Sequence, residues 1–215
     1  LRRPWRNAIA LGDALERDGL AGGRVALPAL SPRDPIHADA YEVARLGVEA
    51  LASRFISGLI GPALSYLFFG LGGLFAYQAL ILLSDLPADS QPFHAFSNWL
   101  AAAIEWPVSN IGALALVLAA VSMKGTQPRH SLTTFLGYCG KVNRSKNGAA
   151  IAAMAGALGL ALEGPRHYVS GVISRPWIGK GKARVVPEDI LAAARLFFLG
   201  CCVVAASIAV LVIFV

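Results

Sequence analysis

The sequence predicts an all-α, polytopic integral membrane protein, and three observations carry that expectation. Of 215 residues, 56% are hydrophobic and only 15% charged, against roughly 45–50% and about 25% in soluble domains. Two long runs carry no charge, Pro62 to Leu83 and Leu196 to Val215. At about 1.5 Å per residue each matches a hydrocarbon core roughly 30 Å thick. Apolar residues elsewhere recur at helical spacing, and strand alternation is absent. The expected architecture has about three spanning helices, one short re-entrant or interfacial helix and amphipathic cytoplasmic helices, in one domain over residues 1–215.

The N-terminal stretch 1–20 places Ala8, Leu11 and Leu15 on one stripe, behind Arg2, Arg3 and Arg6. That pattern suits a helix lying at a membrane surface. Gly19, Gly22, Gly23 and the prolines at 28, 32 and 35 then predict a loop. From Ala38 to Ile56 apolar residues again fall on one face, with Glu42, Arg45 and Glu49 on another. Those charges read either as a solvated stripe with an Arg45–Glu49 pair or as part of a site.

Pro62 is a natural helix start, and the first secure span is expected from there to Leu83. Its Gly70-Leu71-Gly72-Gly73 permits either close helix contact or a kink. A loop at 85–98 with no lysine or arginine separates it from a second span, from about Trp99 or Pro107 to Met123. Basic stretches at 124–146 and 166–184, each with five Lys or Arg, enclose an apolar run of small residues, Ala149 to Leu162. Fourteen residues make roughly 21 Å of helix, too short to cross. Pro187-Glu188-Asp189 opens the last helix.

The excess of basic residues in loops sets the orientation. The N-terminal region and the loops 124–147 and 164–189 are expected in the cytoplasm, and the 85–98 loop on the other side of the membrane. The lipid bilayer is thus the first partner. The net charge of +6 does not point to nucleic acid, because the arginines are dispersed beside apolar spans. Cys139, Cys201 and Cys202 show neither disulfide nor zinc spacing, His130 and His167 have no ligand-spaced partner, and no metal site is expected.

The richest segment is 141–181. It holds Arg144-Ser145-Lys146-Asn147, then Ala152 to Gly159 (AAMAGALG), Tyr168 to Gly171, and Trp177-Ile178-Gly179-Lys180-Gly181. Upstream lies Pro32-Arg33-Asp34-Pro35. In order and spacing these resemble the adenosylcobinamide-phosphate synthases of cobalamin biosynthesis. Family members carry further helices upstream, so the resemblance implies that N-terminal helices are missing here.

The resemblance implies ATP-dependent amide formation between the carboxylate of adenosylcobyric acid and aminopropanol phosphate. Such a ligase would use ATP and Mg²⁺ and bind a corrinoid. By match of position it assigns phosphate and corrinoid binding to Arg33, Asp34, Arg45, Glu49, Arg144, Ser145, Asn147, Tyr168, Gly179 and Gly181. Asn147 reads equally as the cap of the short helix, Trp177 as an interfacial anchor, and Asp189 as a first-turn acid. Gly179-Lys180-Gly181-Lys182 is not a P-loop. Several polar positions of the family are changed: Ser53, Arg54, Ser57, Gln78, Ile81 and Ser84 stand where it has Glu, Asn, Asp, Lys, Asn and Asp. Those losses favour a second reading, a non-catalytic homologue serving as scaffold or accessory subunit to other membrane subunits.

Overall fold

A computed structural model describes residues 2–31, 35–85, 92–139, 147–168, 171–173 and 176–214. Within those ranges the side chains of 85, 92–95, 166–173, 211, 212 and 214 lie outside the description. The fold is helical: α1 (Arg2–Ala26), α2 (Ala40–Phe55), α3 (Gly61–Asp85), α4 (Pro92–Ser122), α5 (Pro128–Cys139), α6 (Gly148–Leu158) and α7 (Pro187–Phe214). Three stretches are long and apolar enough to cross a membrane: Ala40–Ser84, Phe96–Ser122 and Pro187–Val210.

The bundle begins where α1, α2 and α7 meet. Gly47 lets α2 approach Leu11 and Ile190, and Gly12 brings α1 against Leu191. The α1 stripe of Ala8, Leu11 and Leu15 is buried, as the spacing predicts. Asp39 caps α2, its Oδ1 accepting the Glu42 amide at 2.6 Å. Further along, Phe55 meets Phe197 edge to face at 5.9 Å, beside Leu116 of α4 and Gly200. Ile56–Ile60 forms a π-helical turn that runs into α3.

Four expectations need correction. Gly19, Gly22 and Gly23 do not open a loop: α1 continues to Ala26, broken only at Gly19 (φ 61°, ψ −145°). Of the two alternatives left open for the first span, the structure takes the kink: Gly70 (φ 63°, ψ −153°) breaks α3 and brings Tyr77 back against Gly61. Sixteen residues of straight helix would separate those two by roughly 24 Å. The bend, not close contact, is what the glycine cluster provides.

The basic stretch 124–146 is not all loop, since α5 occupies Pro128–Cys139. Strands also occur: β1 (Leu162–Glu163) pairs antiparallel with β4 (Trp177–Ile178), and β2 (Arg166–Tyr168) with β3 (Gly171–Ile173). The short helix α6 has 11 residues rather than 14, and Gly159 in the left-handed conformation ends it. At roughly 16 Å it is too short to cross. Every α6 residue from Gly148 to Ala157 is buried. Its alanines and glycines make that possible: at Gly156 the α5 backbone at His130 and Ser131 leaves no room for a Cβ.

Candidate functional site

The polar row of α2 is not solvated. Glu42, Arg45 and Glu49 are exposed by only 5%, 7% and 3%, and they face the segment that follows α6. The Arg45 Nη2 donates to the Pro165 carbonyl at 3.1 Å and lies 3.9 Å from the Glu42 carboxylate. Its guanidinium also sits over the Trp177 ring, 4.9 Å from the centroid. Glu49 Oε1 accepts the backbone amide of Glu163 at 2.7 Å. A planar, delocalised cation can satisfy an ion pair, a carbonyl and an aromatic face together, which a lysine could not. Trp177 is therefore neither a bare interfacial anchor nor a free stacking platform on this face.

Neither motif nor spacing gives Glu163 a role in the sequence. It is buried to 2% exposure and stands at φ 60°, a conformation rarely adopted by non-glycine residues. The sequence signal was its place before Gly164-Pro165. Gly164 (φ 70°) lies flat against the Trp177 ring, with no room for a Cβ. Thus α2, β1 and β4 close into a clasp around the Glu163–Pro165 turn.

Gly179 and Gly181 belong to the next part of the same segment. An added Cβ at Gly179 would overlap the Leu160 carbonyl, and one at Gly181 the Gly159 carbonyl. The Lys182 amide donates to Gly159 O at 3.0 Å, and Ala161 N to Lys182 O at 2.9 Å. Here the glycines allow two backbones to touch. Lys182 Nζ pairs with Asp189 at 2.9 Å, and Asp189 Oδ2 accepts the Val186 amide at 2.9 Å, half of a capping box at the start of α7. Above α2, the Arg184 guanidinium lies 5.8 Å from the Tyr41 ring centroid.

Asn147 lies elsewhere, at the far end of α6. Its backbone carbonyl accepts from Ile151 N at 3.1 Å, but its side chain makes no cap bond. Its Oδ1 is buried with no hydrogen-bond partner among the described residues. The structure thus gathers Arg45, Glu49, Gly179 and Gly181 and separates Asn147 from them by the length of α6. Tyr168 has its backbone in β2, while its side chain lies outside the description. Arg33, Asp34, Arg144 and Ser145 lie outside the described residues. Among the described residues, no group of three or more His, Cys, Asp and Glu is placed to hold a metal ion.

Residues 1–197 match the family described as CobD/Cbib protein. The chain belongs to the CobD/Cbib family. Relatives named "Cobalamin biosynthesis protein CobD" include one from Sinorhizobium fredii, 33% identical over 209 residues, covering 94% of this chain and 64% of that one. One from Rhizobium meliloti is 34% identical over 195 residues, covering 88% and 60%. One from Mycobacterium tuberculosis is 28% identical over 186 residues, covering 85% and 59%. The chain therefore spans about three fifths of the length of these CobD relatives. No solved structure matches it.

Proposed function

We propose that this chain acts in cobalamin biosynthesis, as the membrane component that joins adenosylcobyric acid to aminopropanol phosphate. The reaction would be an ATP-driven amide formation at the cytoplasmic face of a bacterial inner membrane. The supporting observation is the clasp. Arg45 and Glu49 are far in sequence from Trp177, Gly179 and Gly181, and both stretches that carry them resemble one family. In the fold they lie together around the end of α6. In this reading Arg33, Asp34, Arg144, Ser145, Asn147 and Tyr168 bind phosphate and corrinoid. Arginine suits phosphate because its fork donates two parallel hydrogen bonds. ATP and Mg²⁺ enter this reading through the resemblance.

One observation favours a second reading, a non-catalytic subunit of a larger membrane assembly. Two of the serines that replace family carboxylates bond to their own helix: Ser57 Oγ to Ser53 O at 3.1 Å and Ser84 Oγ to Ile81 O at 2.9 Å. A hydroxyl turned back in this way replaces neither the charge nor the reach of a carboxylate.

Complementation separates the two. The complete gene carrying this chain is expressed in a bacterium lacking its own adenosylcobinamide-phosphate synthase. Cobalamin-dependent growth on adenosylcobyric acid is expected, and it should fail with Arg144→Ala. No growth, with the protein present in the membrane, would refute the ligase and favour a partner-binding role.

A further inference from the structure

Named contacts fix the register of α1, α2 and α7. The Leu15 and Val43 side chains both reach Gly23. One turn on, Leu11 and Ile190 flank Gly47, and Gly12 lies against Leu191 and the Pro187 carbonyl. Further still, Phe55 meets Phe197. Residue numbers fall along α1 as they rise along α2 and α7, so α1 runs antiparallel to both. Its first turns therefore point the same way as the uncharged runs that follow Arg54 and Arg195.

The apolar stripe of α1, Ala8, Leu11 and Leu15, is buried in this packing. The helix cannot also lay that stripe in a membrane interface, and only its start reaches toward the bilayer. From the level of Leu11, Gly47 and Ile190, at about 1.5 Å per residue, Arg195 and Arg6 lie roughly 7 Å further along, Arg54 about 10 Å, and Arg3 and Arg2 about 12–14 Å. Val43, Gly47 and Arg54 share one stripe of α2, spaced i, i+4 and i+11. Arg54 thus emerges on the side that faces α1, where α1 begins.

Arg2, Arg3, Arg6, Arg54 and Arg195 are all exposed, and among the described residues none of them is in an ion pair. Stretches 1–12, 50–84 and 190–215 contain no acid. The adjacent Glu49 is buried and bonded within the clasp. Trp5, exposed by 37%, and Phe198, exposed by 57%, fall at the same level. Arginine stems can cover apolar surface while their heads stay at the polar boundary, and the guanidinium fork suits a phosphate. A phospholipid offers phosphate and acyl chain in one molecule, which matches arginines bordered by exposed aromatic rings. A soluble phosphate would leave the rings unused.

We propose that these arginines form a binding surface for anionic phospholipid headgroups at the edge of the bilayer, built where the start of α1 meets α2 and α7. Lipid binding here is independent of the amide-forming reaction.

The test uses the complete protein that carries this chain, with its cysteines replaced by serine, in mixed phosphatidylcholine and phosphatidylglycerol vesicles. Bimane is placed on Gly58→Cys, one turn past Arg54, where a side chain meets nothing within 4 Å. Bromine on the phosphatidylglycerol chains should quench it more than the same bromine content on phosphatidylcholine, with a several-fold preference for the anionic lipid. Each basic residue near a membrane surface strengthens attachment roughly five-fold, so Arg54→Gln with Arg195→Gln should bring the two lipids to near equality. Arg54→Lys with Arg195→Lys should keep much of the preference, which separates lost charge from a damaged fold. Arg3→Gln with Arg6→Gln repeats the reading from α1 if the first pair does not accumulate. Bimane on Val210→Cys, at the far end of α7, should show no preference. Equal quenching by both lipids at Gly58→Cys would overturn the surface, as would a preference that survives the glutamine pairs or appears equally at Val210→Cys. Loss of the preference in millimolar inorganic phosphate at constant ionic strength would replace the lipid with a soluble phosphate.

Discussion

At the scale of single residues, the matched positions have physical roles that mutation can separate from chemistry. Glu49 accepts the amide of a buried residue, so Glu49→Ala leaves a buried donor unpaired, at a cost of about 1–3 kcal/mol. Glu49→Gln keeps an acceptor there. Thermal unfolding in detergent should show a clear loss for the alanine and a much smaller one for the glutamine. If glutamine then abolishes complementation, the carboxylate charge is needed for the reaction; if it does not, Glu49 is a fastener. Gly181→Ala forces a methyl onto the Gly159 carbonyl and should cost about 2–4 kcal/mol. Gly137→Ala, where nothing lies within 4 Å of the new Cβ, should instead be neutral or stabilising by up to about 1 kcal/mol. Asn147→Ala removes no cap bond, so its loss should stay well under the ~1 kcal/mol typical of a cap. Any larger effect on activity would then belong to a ligand.

At the scale of elements, α1 and α3 share one device. Gly19 and Gly70 break their helices with nearly equal angles, and Gly22 and Gly73, three residues later, each lie where a Cβ would strike the carbonyl eight residues back. The sequence writes both as Gly-Leu-x-Gly. Their φ and ψ lie close to a region that is essentially glycine-only. This makes α3 testable as a bent element: Gly61→Cys and Tyr77→Cys, on a cysteine-free background, should be joined by a short bifunctional thiol reagent that takes the place of the Tyr77 ring against Gly61. Failure would restore a straight span, and Gly70→Ala should weaken the cross-link where it forms. Hydrophobic runs were enough to predict α4 and α7, since span length follows from composition. They could not predict this bend, because a glycine-rich apolar helix and a broken one have the same hydropathy. The α2 row misleads in the same way. Spacing shows that Glu42, Arg45 and Glu49 share a face, but only the returning β1–β4 ribbon, more than 100 residues later, decides that this face is buried. Arg33, Asp34, Arg144 and Ser145 were assigned by resemblance and lie outside the described residues.

At the scale of the whole molecule, charge and apolarity divide along the bundle axis. Arg54 and Arg195 are exposed and are the last charges on their helices before long uncharged runs. Beyond them the outer surfaces of α3 and α7 are apolar, with Phe68, Phe69, Phe198 and Ile213 exposed. The clasp, the Lys182–Asp189 pair and the Arg184–Tyr41 contact all lie before them. A span of 24 residues from Pro187 to Val210 is roughly 36 Å long, enough to carry its end across the hydrocarbon core. Dense positive charge on the clasp side should hold that side in the cytoplasm. Single cysteines at Lys180→Cys and Val210→Cys, on a cysteine-free background, put this to the test. In right-side-out vesicles an impermeant maleimide should label position 210 and spare 180; in inverted vesicles the pattern should reverse. Labelling of both from one side would mean that α7 lies along the membrane instead of crossing it.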